Sequence, residues 1–204
     1  MNISKILKLK KKLIRQYYSF KYPLIPYSPE KFVKPEKVLT YKSGWSGLEL
    51  IIEDILEMFD IERESCIEFG VEFGFSSVVF SNYFEQVKGI DTFFGDTHTD
   101  HKGDHYKETK ESLREYPNIE LIKSNYQDWI KLDKSNYDFA HVDIVHNYKE
   151  TFECGLWAVR HSKCCIFHDT ESFPEVRKAV FDIAKVTGKK AYNYPKNFGL
   201  GIIV

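Results

Sequence analysis

The 204-residue sequence contains no apolar run approaching the roughly 18 consecutive residues that a membrane span requires. Cysteine is scarce, with only Cys66, Cys154, Cys164 and Cys165. Their spacing fits neither a zinc motif nor a disulfide framework, which leaves reduced, buried thiols of a cytoplasmic protein. Cys164 and Cys165 are neighbours in an apolar run, so on a strand they point to opposite faces. The N-terminal region lacks the uninterrupted apolar stretch and small-residue cleavage site of a signal peptide. Internal repeats and low-complexity segments are absent. With 43% hydrophobic and 29% charged residues, the composition excludes a disordered chain.

An excess of one charge is also missing, since the formal total is −1. That total conceals a division. Residues 1–42 carry 11 Lys or Arg against only Glu30 and Glu36, a net +9. The other 162 residues carry 18 basic and 28 acidic side chains, a net −10. An acidic body excludes a domain that coats nucleic acid, and no specific nucleic-acid partner is expected of it.

The basic segment has apolar residues at helical spacing, namely Ile3, Ile6, Leu7, Leu13, Ile14 and Tyr17, with lysines and Arg15 between them. An amphipathic basic helix is expected over 3–20. Pro23, Pro26, Pro29 and Pro35 then mark an extended linker. These features divide the chain into an arm and linker, 1–42, and a domain, 43–204. The arm leaves several partners open: an anionic membrane surface, RNA, the acidic body itself, or a second copy in a homo-oligomer. The expected location is the cytoplasm, with peripheral membrane association through this helix as the alternative.

Ser46-Gly47-Leu48-Glu49 has the form of a capping box ahead of a helical stripe from Leu48 to Phe59. Strand-like runs follow at 65–69, 86–91, 118–123, 137–143, 163–168 and 198–203, with a weaker one near 190–194. Helix-like runs at 75–85, 104–116, 148–161 and 173–186 alternate with them. This alternation predicts an α/β fold: a seven-stranded, mostly parallel sheet with helices on both faces. The short link Pro195-Lys196-Asn197 makes the last two strands an antiparallel hairpin.

In such sheets, ligands bind at the carboxyl ends of the strands. Four ends here are polar. Glu68-x-Gly70-x-x-x-Gly74-x-Ser76 closes the first run, with glycines for a tight turn and serines opening the next helix. Asp91, about 20 residues on, is placed for ribose hydroxyls. Asp143 with His146, and His168 with Asp169, end two runs expected to be adjacent. The segment 96–105 holds three of the seven histidines and reads as a polar active-site loop, with a separate metal site as the alternative. The glycine spacing is not that of a nicotinamide-dependent reductase.

With these residues in place, the chain resembles class I S-adenosylmethionine-dependent methyltransferases, in particular the metal-dependent sugar and macrolide O-methyltransferases. The resemblance covers about 45–204. It rests on Glu68 to Ser77, on Gly89-Ile90-Asp91-Thr92 with Gly95-Asp96-Thr97-His98, on Val142-Asp143 through Tyr148, on Phe167-His168-Asp169-Thr170, and on Gly199-Leu200-Gly201. It implies a class I fold and S-adenosylmethionine bound by Glu68, Gly70, Gly74, Ser76, Asp91, Asn125 and Asp143, with Ser124-Asn125-Tyr126 beside the adenine. It further implies magnesium or another divalent ion on Asp143, His168 and Asp169. Methylation of a hydroxyl on a sugar or other small molecule would then use His146 as base, or the ion, with Asp143. Three positions and one segment depart from the family pattern: Ile144, Val145 and Glu72, and Ser162-Lys163-Cys164 in place of a Pro-Gly-Gly turn. They keep a second function in view, an inactive methyltransferase fold serving as a binding or assembly module.

Overall fold

A computed structural model describes residues 3–95 and 103–204. The expected helix is present as α1, Ile3–Lys21, followed by a two-residue strand β1, Ile25–Pro26. A 3-10 turn, Glu49–Ile51, runs into α2, Ile52–Met58. The alternating body follows: β2 Ser65–Phe69, α3 Phe75–Phe80, β3 Gln86–Asp91, α4 Tyr106–Ser112, β4 Ile119–Lys123, α5 Tyr126–Leu132, β5 Tyr137–Val142, α6 Tyr148–Arg160, β6 Ser162–His168, α7 Pro174–Thr187, β7 Ala191–Tyr194 and β8 Leu200–Ile203.

The strands form one sheet in the order β1-β7-β8-β6-β5-β2-β3-β4. β8 is antiparallel to both β6 and β7, and the other pairings are parallel. The seven expected strands are therefore joined by an eighth, drawn from the proline-marked linker. Its proline is tolerated because it sits on the sheet's edge.

The core has two faces. On one, Ile52 and Ile55 of α2 and Phe80 of α3 pack with Cys66, Phe139 and Cys164. On the other, Ala158 of α6 and Ile183 of α7 pack with Phe69, Val142 and Cys165. Cys164 and Cys165 thus face opposite ways, as strand alternation requires. All six residues of β5 are buried, since helices cover both sides of it.

Helix boundaries follow local chemistry. Asn125 and Asn147 cap α5 and α6, each accepting the amide three residues on, from Asp128 at 2.8 Å and Glu150 at 2.9 Å. Pro174 opens α7, and Gly188 ends it with φ +71°. The capping box expected at Ser46–Glu49 does not form. Ser46 Oγ instead accepts from the Ser43 amide at 3.0 Å, and the Glu49 carboxylate takes the Gly47 amide. These side chains fold a turn before the helix rather than cap its first residue.

The linker packs against the body. Buried Asp54 accepts the Tyr27 hydroxyl and the amides of Glu30 and Lys31, at 3.1 and 3.0 Å. α1 docks beside α7, where Tyr22 meets Phe181 with ring centroids 5.7 Å apart.

Candidate active site

Five parallel strands, β2 to β6, end on one cleft of about 690 Å³. Its walls include Gly70, Asp91, Ser124, Asn125, Asp143, His146, His168 and Asp169. The structure therefore gathers most of the residues singled out along the sequence.

One half of the cleft is shaped by the turn after β2. Gly70 has φ +91°, and a Cβ there would stand 1.8 Å from the carbonyl oxygen of Asp143. Glycine is required for this close passage of backbone over backbone. Asp91 Oδ2 accepts the amides of Val71 and Glu72 at 2.7 and 2.9 Å, and Oδ1 accepts that of Phe93 at 2.7 Å. Three of its roughly four acceptor positions are taken, which leaves Oδ1 one lone pair for a ligand hydroxyl. Asn125 lines the cleft from the start of α5.

Glu68 and Gly74 do not stand on the wall, contrary to expectation. Glu68 is fully buried behind it and accepts the hydroxyls of Ser76 and Ser77. Trp45 Nε1 donates to His141 Nε2 at 3.2 Å, so His141 carries its proton on Nδ1 and donates it to Glu68 at 2.9 Å. Burying a carboxylate is tolerable only with such a set of donors. Gly74, at φ +85°, begins α3, and a Cβ there would strike Leu113 at 2.5 Å. Ser76 does line the cleft, but its hydroxyl is turned to Glu68. The signal for the buried network lies in residues about 70 positions apart, beyond the reach of a motif.

The other half is a cluster of imidazoles and carboxylates. His146 Nε2 lies 2.9 Å from Asp169 Oδ2 and 3.3 Å from Asp143 Oδ1. His168 Nδ1 lies 3.0 Å from Asp143 Oδ2. The His146 ring stacks on Phe173, with centroids 4.2 Å apart and planes 9° from parallel. Burial opposes a charge on His146, but its hydrogen bonds to Asp143 and Asp169 prevail and push its pKa up to about 10. Burial likewise works against ionised Asp143, and the imidazoles of His168 and His146 overcome it, holding the carboxyl well below the usual range. Nε2, turned to both carboxylates, carries a proton in this arrangement and must lose it before it can act as a base or hold an ion.

Candidate metal ligands also differ from the expected set. Asp143, His146 and Asp169 each offer a donor atom, and these atoms lie within 4.8 Å of one another. His168 stands behind them, its Nδ1 committed to Asp143. Its buried Nε2 has no partner among the described residues. Asp169 reaches the cluster with φ +67°, a strained backbone of the kind that gathers at functional sites. Sequence order alone could not tell which histidine completes the set, because one closes a strand and the other lies just beyond one.

The segment Ser43-Gly44-Trp45 also lines the cleft. It precedes the motifs, and sequence reasoning missed it. Most of the histidine-rich segment, residues 96–102, lies outside the described residues. His105 is described and lines the cleft.

A family profile described as a methyltransferase domain matches residues 67–170, just over half the chain. No curated protein sequence matches it significantly. Among solved structures, a candidate caffeoyl-CoA O-methyltransferase from Staphylococcus aureus is similar at TM-score 0.59 and 13% identity, covering 95% of this chain and 90% of its own. An O-methyltransferase from Bacillus cereus, solved in complex with SAH, is similar at TM-score 0.54 and 10% identity, with the same 95% and 90% coverage. So is a precorrin 8W decarboxylase from Methanobacterium thermoautotrophicum, at 0.55 and 13%, over 88% of this chain and 98% of that one. At such identities the likeness establishes the Rossmann-like class I fold and leaves the reaction to the family match. Matched from Ile67 in β2 to Thr170 just past β6, and folded on this sheet order, the chain belongs to the methyltransferase-domain family.

Proposed function

We propose that this chain transfers the methyl group of S-adenosylmethionine to a hydroxyl oxygen of a sugar-like small molecule, with a divalent ion assisting. One observation carries the reading: the glycine turn with Asp91 and the imidazole–carboxylate cluster open into the same cleft. A donor site and an acceptor-activating site must adjoin for an in-line displacement at the sulfonium methyl.

On this reading, Asp91 Oδ1 accepts a ribose hydroxyl. The main chain from Gly70 to Glu72 gives the methionine end room to approach, since Gly70 has no side chain. Ser124 and Asn125 border the adenine. The methyl carbon bonds to the acceptor oxygen as its bond to sulfur breaks, the electron pair staying on sulfur to leave SAH, and the acceptor's proton passes to solvent.

Asp143, His146 and Asp169 would hold the ion. Their three convergent donor atoms fit it, and the imidazole shifts preference from magnesium toward manganese or iron. When bound, the ion lowers the pKa of an acceptor hydroxyl and fixes its oxygen. His168 Nδ1 holds Asp143 in orientation, as partners behind ligating carboxylates do. Of the two routes to a reactive oxygen considered above, the ion is favoured, because His146 Nε2 is aimed at Asp143 and Asp169 and would give its lone pair to an ion held there once its proton is displaced, leaving none for the acceptor's proton.

Calorimetry with S-adenosylmethionine tests the donor site directly, with Asp91→Ala as the control expected to weaken binding at least tenfold. Mass-spectrometric detection of methylated products from a panel of sugars, with manganese added and then chelated, tests the reaction. Failure to bind S-adenosylmethionine would overturn the proposal in favour of a non-catalytic module. Turnover that survives complete chelation would remove the ion from it.

A further inference from the structure

The outward face of α1 is the largest feature the cleft does not explain. The helix is held to the body by its inner edge. Arg15 pairs with the buried carboxylate of Glu171 and donates to the Pro195 carbonyl at 3.3 Å. Arg177 of α7 holds the same Glu171 at 2.8 Å and donates to the Tyr22 carbonyl at 3.1 Å. With that edge occupied, Leu9, Leu13, Tyr17 and Phe20 face solvent, at 56%, 57%, 56% and 87% exposure. At 100° per residue these four fall within one narrow sector of the helix. Lys12 borders it on one side, and Lys10 and Lys21 border it on the other, all three exposed.

We propose that this face seats the protein on an anionic lipid bilayer, with the helix lying in the interface plane. Three observations select that occupant. A stripe of leucine and aromatic side chains, flanked on both sides by lysines, matches the apolar interior and anionic headgroups of such a surface. The +9 segment is attached to a −10 body, so an anionic surface attracts the arm and repels the rest, which fixes which side approaches. A second copy would have to place these lysines against lysines of the same face, because a two-fold interface meets itself. The helix does not span: among the described residues no helix is long and apolar enough to cross a membrane. Phe20 and Tyr17 would enter the headgroup boundary, and Arg15 would stay on Glu171.

The test is flotation of the full chain with phosphatidylcholine vesicles, with and without phosphatidylserine. The chain is expected to float only with the anionic vesicles, and salt should weaken the association. Phe20→Glu and Leu13→Glu lie on the solvent face, so circular dichroism should stay unchanged while vesicle partitioning falls at least tenfold. Lys10→Glu with Lys21→Glu should abolish it. Equal flotation of wild type and Phe20→Glu would overturn the proposal. So would a wild-type dimer, broken by Phe20→Glu, that does not float.

Discussion

Gly70 and Asp143 meet backbone to backbone: any side chain on Gly70 would occupy the space of the Asp143 carbonyl oxygen, 1.8 Å from the ideal Cβ position. The donor-side turn and the first residue of the carboxylate cluster are thereby one rigid unit. Gly70→Ala must move one of them, in a backbone region that alanine also resists. A stability loss of about 3 kcal/mol or more is expected, with S-adenosylmethionine binding lost in parallel. Urea denaturation and calorimetry on the same variant measure both.

Asp169→Asn removes a carboxylate from the cluster while keeping its shape. Asparagine tolerates the left-handed conformation that φ +67° imposes, so the fold should survive. Wild type should gain about 2.7 kcal/mol of stability with manganese at a hundredfold excess over its dissociation constant, and lose the gain on chelation. The variant should show no such gain. Thermal denaturation with and without the ion reads this without any acceptor.

Glu68→Ala leaves the hydroxyls of Ser76 and Ser77 and the His141 ring without their buried acceptor. Each orphaned donor costs about 1–3 kcal/mol, so this variant should be severely destabilised. Asp91→Ala, by contrast, should lose cofactor affinity at a smaller cost in stability, because two of the three amides it frees, those of Val71 and Glu72, border the open cleft. Comparing the two by denaturation and calorimetry separates a buried support from a wall residue.

Asp54→Ala removes the acceptor shared by Tyr27 and the amides of Glu30 and Lys31. A loss of about 2–4 kcal/mol is expected. Limited proteolysis should then cut between residues 28 and 40, a stretch expected to resist in the wild type. Cofactor affinity should be unchanged, since none of these groups touches the cleft.

Glu72 holds φ +51°, a left-handed backbone that costs a non-glycine residue about 1–2 kcal/mol. Glu72→Gly should be neutral or more stable by up to about 1 kcal/mol, the relief being offset in part by glycine's entropy. Glu72→Val should lose stability, because a β-branched residue tolerates this region least. Chemical denaturation of both variants gives the sign.

The strand ends were legible because each is a hydrophobic run closed by a polar residue, as at Ile90-Asp91 and Val142-Asp143. Their convergence followed from the topology of parallel sheets. Helix α5 was missed because its short apolar stripe is cut off at once by the polar run Asp133-Lys134-Ser135-Asn136. Asn125 and Asp128, with Tyr126, Trp129 and Ile130 behind them, were the signal for it. Strand β1 was hidden by Pro26, which reads as a linker and forms an edge. Glu68 was misplaced because a carboxylate in a motif and a carboxylate in a core look alike until its distant partners are known. Ser46 and Glu49 had the spacing of a cap, but a turn competed for the same hydrogen bonds.

The four thiols bear on how the fold opens. Cys66 and Cys164 lie within one side of the core, and Cys154 and Cys165 within the other. Burial raises the pKa of all four, which suppresses the reactive thiolate. Alkylating reagents therefore wait for an opening event, and each pair times a different one. Mass spectrometry of a labelling time course would record whether the α2–α3 layer and the α6–α7 layer part from the sheet together or one before the other.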